Sequence, residues 1–203
     1  MAQFTIVATV KIAHGTTEEL WWLSHVSLLL TSAGLMIASP RLVFGALLVV
    51  CVPHMLWLSD ALIGWTTGTF PLRMAGYLLH ADFWEWAATF HHFYLLPLLM
   101  WLAFQKREIP KGSMLVACAT LMLTTFCARL CFDPALNVNF SQWVMPRVQA
   151  PIVRWTDHLP GPAYLLFINL WAAIFFCYPV SRMIRRGQQW RLFTRAAAQS
   201  SDE

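Results

Sequence analysis

The chain has 203 residues, of which 58% are hydrophobic, 14% aromatic and only 12% charged. A soluble domain carries about 25% charged residues, so this composition excludes an ordinary water-soluble fold and points to helices immersed in lipid. The net charge of +4 is not a nucleic-acid signal, because the basic residues sit in short loops and a C-terminal tail and form no stripe interleaved with aromatics.

Residues 4–10 are apolar, but the run is short and Lys11 follows it instead of preceding it, so no secretory signal is read there. Thr16 and Glu19 have capping-box spacing and predict a helix start near residue 17. Five spans are then expected, at about 21–39, 42–64, 84–104, 114–132 and 162–181. Each has roughly 19–23 residues, enough to cross a ~30 Å hydrocarbon core. The runs are continuous instead of alternating, which argues against a β-barrel.

Pro40 ends the first span, and Pro110 and Gly112 punctuate the gap before the fourth. The segment 133–161 holds Pro134, Pro146, Pro151 and Pro160 with Trp143 and Trp155 among them. Such a stretch cannot be a straight helix, and its aromatics suit the membrane interface, so it reads as a folded surface loop. The expected fold is an all-α polytopic membrane helix bundle, a single integral membrane domain over 1–203 with a basic tail at 182–203.

Arg41, Lys106, Arg107, Lys111, Arg182, Arg185, Arg186, Arg191 and Arg195 fall on one side of this arrangement, and only Lys11, Arg73, Arg147 and Arg154 on the other. The positive-inside rule then places the N-terminus outside and the C-terminus in the cytoplasm, in a cell membrane. In that frame all seven histidines fall in the non-cytoplasmic half, and the inner half has almost no ionisable group. Polar side chains are expensive in hydrocarbon, so their gathering at one depth marks a candidate site.

The candidate pocket comprises Asp60, Glu85, His91, His92, Arg129, Asp133, Asn137 and Asn139, with His25, His54 and His158 as secondary candidates. Glu85, Thr89 and His92 share one helix face, whereas His91 is about 100° away and is expected to point elsewhere. His92, Glu85 and Asp60 form the candidate metal set. The plainer readings are that Glu85 sits at headgroup level and that His92 bonds a neighbouring helix. His54 follows Pro53 and is the deepest ionisable residue; a lone His there reads first as a hydrogen-bonding group. His25, flanked by Ser24 and Ser27, reads first as a packing residue. Arg129 and Asp133 are four apart and suited to pair; otherwise Arg129 offers an anion clamp. Asn137 and Asn139, two apart, would point the same way in an extended chain, and a turn after Asp133-Pro134 is the plainer reading. Asn169 is placed to hydrogen-bond between helices. A metal ion suits this set; haem, which would need a pair such as His25 and His92, is the weaker fit. The five cysteines lie almost wholly in apolar runs and read as small hydrophobes; Cys127 and Cys131, four apart, are a weak metal signal. No HExxH, GxSxG, P-loop or dinucleotide fingerprint occurs.

The Asp60 span, the stretch from His91 through Leu95-Leu96-Pro97-Leu98-Leu99, the segment Asp133-Pro134-Ala135-Leu136-Asn137-Val138-Asn139-Phe140 and the Pro-rich approach to the last span with His158 resemble a family of uncharacterised bacterial integral membrane proteins. The resemblance covers about 55–180 and implies a membrane helical fold with no assigned activity. It departs where a Pro-x-His approach is expected, since His158 precedes Leu159-Pro160, which leaves the role of His158 open.

Three functions compete at this stage. A small membrane enzyme or binder would use the pocket for a metal, cofactor or small anionic or lipid ligand. A non-catalytic subunit would use the same groups as structural pairs within a larger membrane complex. A transporter needs polar groups through the full thickness, and the inner half lacks them.

Overall fold

The computed structural model describes residues 1–106, 108–142 and 155–200. Arg107, Trp143, Pro146, Arg147, Pro151 and Arg154, which the sequence reading used, lie outside the described residues. Among those described there are helices and no strands. In order they are α1 (Ala2–Ala13), α2 (Leu23–Met36), α3 (Pro40–Thr67), α4 (Phe83–Thr89), α5 (His91–Gln105), α6 (Ser113–Cys131), α7 (Gly161–Ala172) and α8 (Tyr178–Ser200), with short 3-10 turns between several of them.

Four helical stretches are long and apolar enough to cross a membrane: Pro40–Thr67, Phe83–Gln105 (α4 and α5 together), Ser113–Cys131 and Gly161–Leu192. The last runs from α7 through a π turn at Ala173–Cys177 into α8. The first expected span differs. It folds as a 3-10 turn, Thr17–Trp21, followed by α2, which has only 14 residues. At 1.5 Å per residue α2 reaches about 21 Å, short of the hydrocarbon thickness. Thr16 makes no side-chain cap, and its hydroxyl is buried without a partner. The working capping box lies instead at Asp82 and Glu85, which start α4.

The long α3 is the axis of the bundle. It packs against α2, α5, α6 and the π turn, and its run from Val43 to Cys51 is buried throughout. Small residues permit these close approaches: a Cβ on Gly45 would lie 2.4 Å from Val116 of α6, and one on Gly34 of α2 would lie 2.9 Å from Val43. On α6, Thr120, Thr124 and Thr125 donate to carbonyls of their own helix, and Asn169 of α7 donates to Thr125 Oγ1 at 2.8 Å. The helix therefore carries hydroxyls through the apolar layer without orphaning them.

α1 was not expected as an element. It buries Val7 and Val10 in the main core, and Gln3 donates to Ala87 O of α4 at 2.8 Å. α1 and α4 thus close over the end of the bundle where α2 begins and where α3 and α5 carry their histidines.

Candidate metal centre

α3 sets the frame of the site. His54 lies near its midpoint, one residue after Pro53, and Trp57 follows one turn later on the same face. His92 of α5 inserts its ring between these two. It stacks on His54 at 4.7 Å and 17°, and on Trp57 at 4.2 Å and 26°. His91 completes the group, 4.1 Å from His92 and 6.0 Å from His54 between ring centroids. One ligand nitrogen from each of His54, His91 and His92 lies within 4.8 Å of the other two.

The expectation that His91 points elsewhere does not hold. The two residues flank the junction of α4 and α5 at Phe90, where the Phe93 N–H bonds Phe90 O in a tightened turn. Each ring folds back on the carbonyl three residues earlier: His91 Nδ1 to Ala88 O at 2.8 Å and His92 Nδ1 to Thr89 O at 3.0 Å. Both rings are thereby drawn to the same side, towards α3.

These bonds also fix the chemistry of the rings. A carbonyl only accepts, so Nδ1 carries the proton in His91 and His92, and Nε2 presents its lone pair. His25 does the same, with Nδ1 donating to Glu19 O at 2.6 Å. Metal-ligating histidines have this arrangement, one nitrogen bonded to a carbonyl and the other free for the ion. Nε2 of His54 and of His91 is fully buried and has no hydrogen-bond partner. Buried polar atoms are normally paired, and an orphaned nitrogen in such a site costs about 1–3 kcal/mol. Two of them facing a shared cluster are a cost that an ion removes.

The other expected residues have partners elsewhere. Asp60 is fully buried, and its carboxylate accepts from the backbone N–H groups of Leu72, Met74 and Ala75 at 2.7, 2.8 and 2.9 Å. Glu85 accepts from Asp82 N in the capping box and lies 3.8 Å from His14. Neither belongs to the cluster of ligand nitrogens, so the expected set of His92, Glu85 and Asp60 is not the one brought together. The physical reason is local: backbone donors of a loop and of a helix start claim the two carboxylates first.

Arg129 and Asp133 do not pair. Arg129 donates to Ser141 O at 2.7 Å and lies over the Tyr164 ring. Asp133 is exposed and accepts from Ala135 N at 2.8 Å. Asn137 and Asn139 are not extended but left-handed, with φ of 42° and 54°, a region Asn tolerates. Asn137 Oδ1 accepts from Gln142 N, whereas Asn139 reaches across to α2, donating to Trp21 O and accepting from Leu23 N. Asn139 thus caps a helix remote in sequence. His158 is exposed in the turn Trp155–His158.

A haem between His25 and His92 does not fit this geometry. Their rings are 6.5 Å apart, and the His91 ring stands 5.1 Å from the first and 4.1 Å from the second. The macrocycle would have to pass through His91. A single ion held by imidazoles needs no such space.

Fold and site together define the class: an all-α, multi-pass membrane helix bundle with a buried histidine cluster. The chain matches no family model, no curated protein and no solved structure.

Proposed function

We propose that this membrane protein binds one first-row transition-metal ion through Nε2 of His91 and His92 and a ring nitrogen of His54. The observation that carries the reading is the pair of buried, unpartnered Nε2 atoms beside a third ligand nitrogen. An all-imidazole set suits zinc, copper, nickel or iron, and disfavours magnesium and calcium, which take oxygen. A tetrahedral ion with bonds of about 2.0–2.1 Å needs its nitrogens roughly 3.3 Å apart, so the cluster tightens on binding. The ion's charge has no carboxylate in contact. Asp60 stands six residues along α3 from His54, about 9 Å of rise, close enough in a poorly screened interior to favour a cation.

The expected orientation belongs to the same reading. In this reading α2, which runs beside α3 from His25 next to His91 to Gly34 next to Val43, carries the chain across together with the turn before it, so the N-terminus lies outside and the C-terminus in the cytoplasm. The histidines then lie in the outer half of the membrane, and Arg182, Arg185 and Arg186 of α8 sit on the positive side. Arg129, Asp133, Asn137 and Asn139 then act as scaffold for the outer loop rather than as ligands.

The test is metal content and zinc titration of the detergent-purified protein. About one ion per chain is expected, lost in His54→Ala and in His91→Ala with helicity retained. A wild-type protein that takes up no zinc, copper or nickel sinks the reading.

A further inference from the structure

Three imidazoles leave a transition ion one ligand short. In a catalytic site water or substrate takes that position, and in a closed site a fourth side chain does. Among the described residues around this cluster, one has the right chemistry. His25, near the start of α2, is only 6% exposed, and its ring lies 5.1 Å from His91 and 6.5 Å from His92.

We infer that His25 is the fourth ligand and closes the site as a four-histidine centre, a deduction that rests on the proposed metal binding. Three observations support it. First, the Nδ1 bond to Glu19 O gives His25 the same tautomer as His91 and His92, so its lone pair is on Nε2, the atom available to an ion. Second, its anchor is braced from outside the bundle. Glu19 pairs with Lys11 of α1 at 2.6 Å, and Asn139 holds the backbone on either side of Trp22 through Trp21 O and Leu23 N. Outer-shell partners of this kind orient metal-bound histidines. Third, the two nearest carboxylates in sequence terms, Asp60 and Glu85, are bound to backbone donors, which leaves an imidazole as the available ligand. His25 lies outside the nitrogen set that falls within 4.8 Å, so it joins by a ring rotation about its Nδ1 anchor as the cluster contracts. A closed centre of four neutral imidazoles has no position for substrate. The ion would be held or handed on, and no substrate would be activated by binding to it.

X-ray absorption of the zinc-loaded wild-type protein counts ligands without any substitution. Four imidazole nitrogens are expected; three nitrogens with an oxygen overturn the four-histidine centre. The cobalt(II)-loaded protein provides the second arm, because the visible bands of tetrahedral cobalt move when a water oxygen replaces an imidazole nitrogen in the fourth position. His25→Phe, which keeps a flat ring in the core, is expected to bind zinc at least about tenfold more weakly and to show shifted cobalt bands. Unchanged affinity and spectrum in His25→Phe overturn the inference while leaving three-histidine binding intact. Absence of metal from the wild type overturns both.

Discussion

Two buried polar regions of this bundle are built on opposite terms. Around Asp60 every strong acceptor has found a donor: three backbone N–H groups of the loop after α3 converge on one carboxylate. Around His54 and His91 the ring nitrogens are as deeply buried, yet Nε2 of each faces no partner. A satisfied polar group in a membrane interior is architecture, since it pins a loop that would otherwise leave its amides orphaned. An unsatisfied cluster of like groups is a standing cost that a bound ion recovers. The contrast separates residues that hold the fold from residues that wait for something.

The largest test of that contrast is His92→Ala. Its ring is stacked between His54 and Trp57, so its loss removes a ligand and the wedge that aligns the other two. Zinc affinity should fall by more than about 100-fold, beyond what loss of an outer-shell partner costs. Isothermal titration of the purified variant measures it, and an affinity within threefold of wild type breaks the comparison.

Asp60→Asn should do the reverse. The amide turns one acceptor into a donor facing backbone N–H groups that already donate, at a cost of about 3–5 kcal/mol. Thermal unfolding of the apo protein in detergent should drop clearly, while zinc affinity changes by less than about tenfold. A variant as stable as the wild type would mean that the loop is held by something other than this carboxylate.

How far these roles were legible beforehand depends on whether the signal was local. Continuous apolar runs gave the helical membrane class, and α3, α6 and the last long helix fall where the runs predict. α2 is shorter than its apolar run predicts, because apolarity continues through Trp21 and Trp22 while the α-helix begins only at Leu23. Depth brought His25, His54, His91 and His92 into consideration. Helical-wheel spacing then sent His91 the wrong way, since it assumed a regular helix across Phe90. Asp60 and Glu85 were favoured as ligands because a buried carboxylate needs a partner. That the partners are backbone amides of nearby residues carries no mark in side-chain pattern. Asp82-x-x-Glu85 is a local signal of the capping box it forms at the start of α4. Asn139 was legible as a helix cap in kind, but the helix it caps lies over a hundred positions away, at Leu23.

Asn139→Ala tests that long-range cap. It removes the acceptor for Leu23 N and the donor to Trp21 O, and should destabilise by about 1–2 kcal/mol, as for other lost N-caps. Hydrogen exchange at the start of α2 should rise first. Protection unchanged there would show that the outer loop and α2 are independent.

The smallest expected effect is also the cleanest discriminator. By sequence spacing Glu85 and His92 fall on one helix face, and Glu85 has the chemistry of a ligand, so sequence alone cannot separate a metal role from a capping role. Glu85→Ala removes the reciprocal half of the capping box, the bond from Asp82 N to its carboxylate, and the 3.8 Å approach to His14, while Asp82 still accepts from the N–H of residue 85. The loss should be about 0.5–1 kcal/mol of stability. Zinc affinity should stay within twofold, since the cluster nitrogens and their carbonyl anchors at Ala88 and Thr89 are untouched. A tenfold loss of zinc binding with little loss of stability would move Glu85 from the helix cap to the ion, and with it the boundary between the two kinds of polar group.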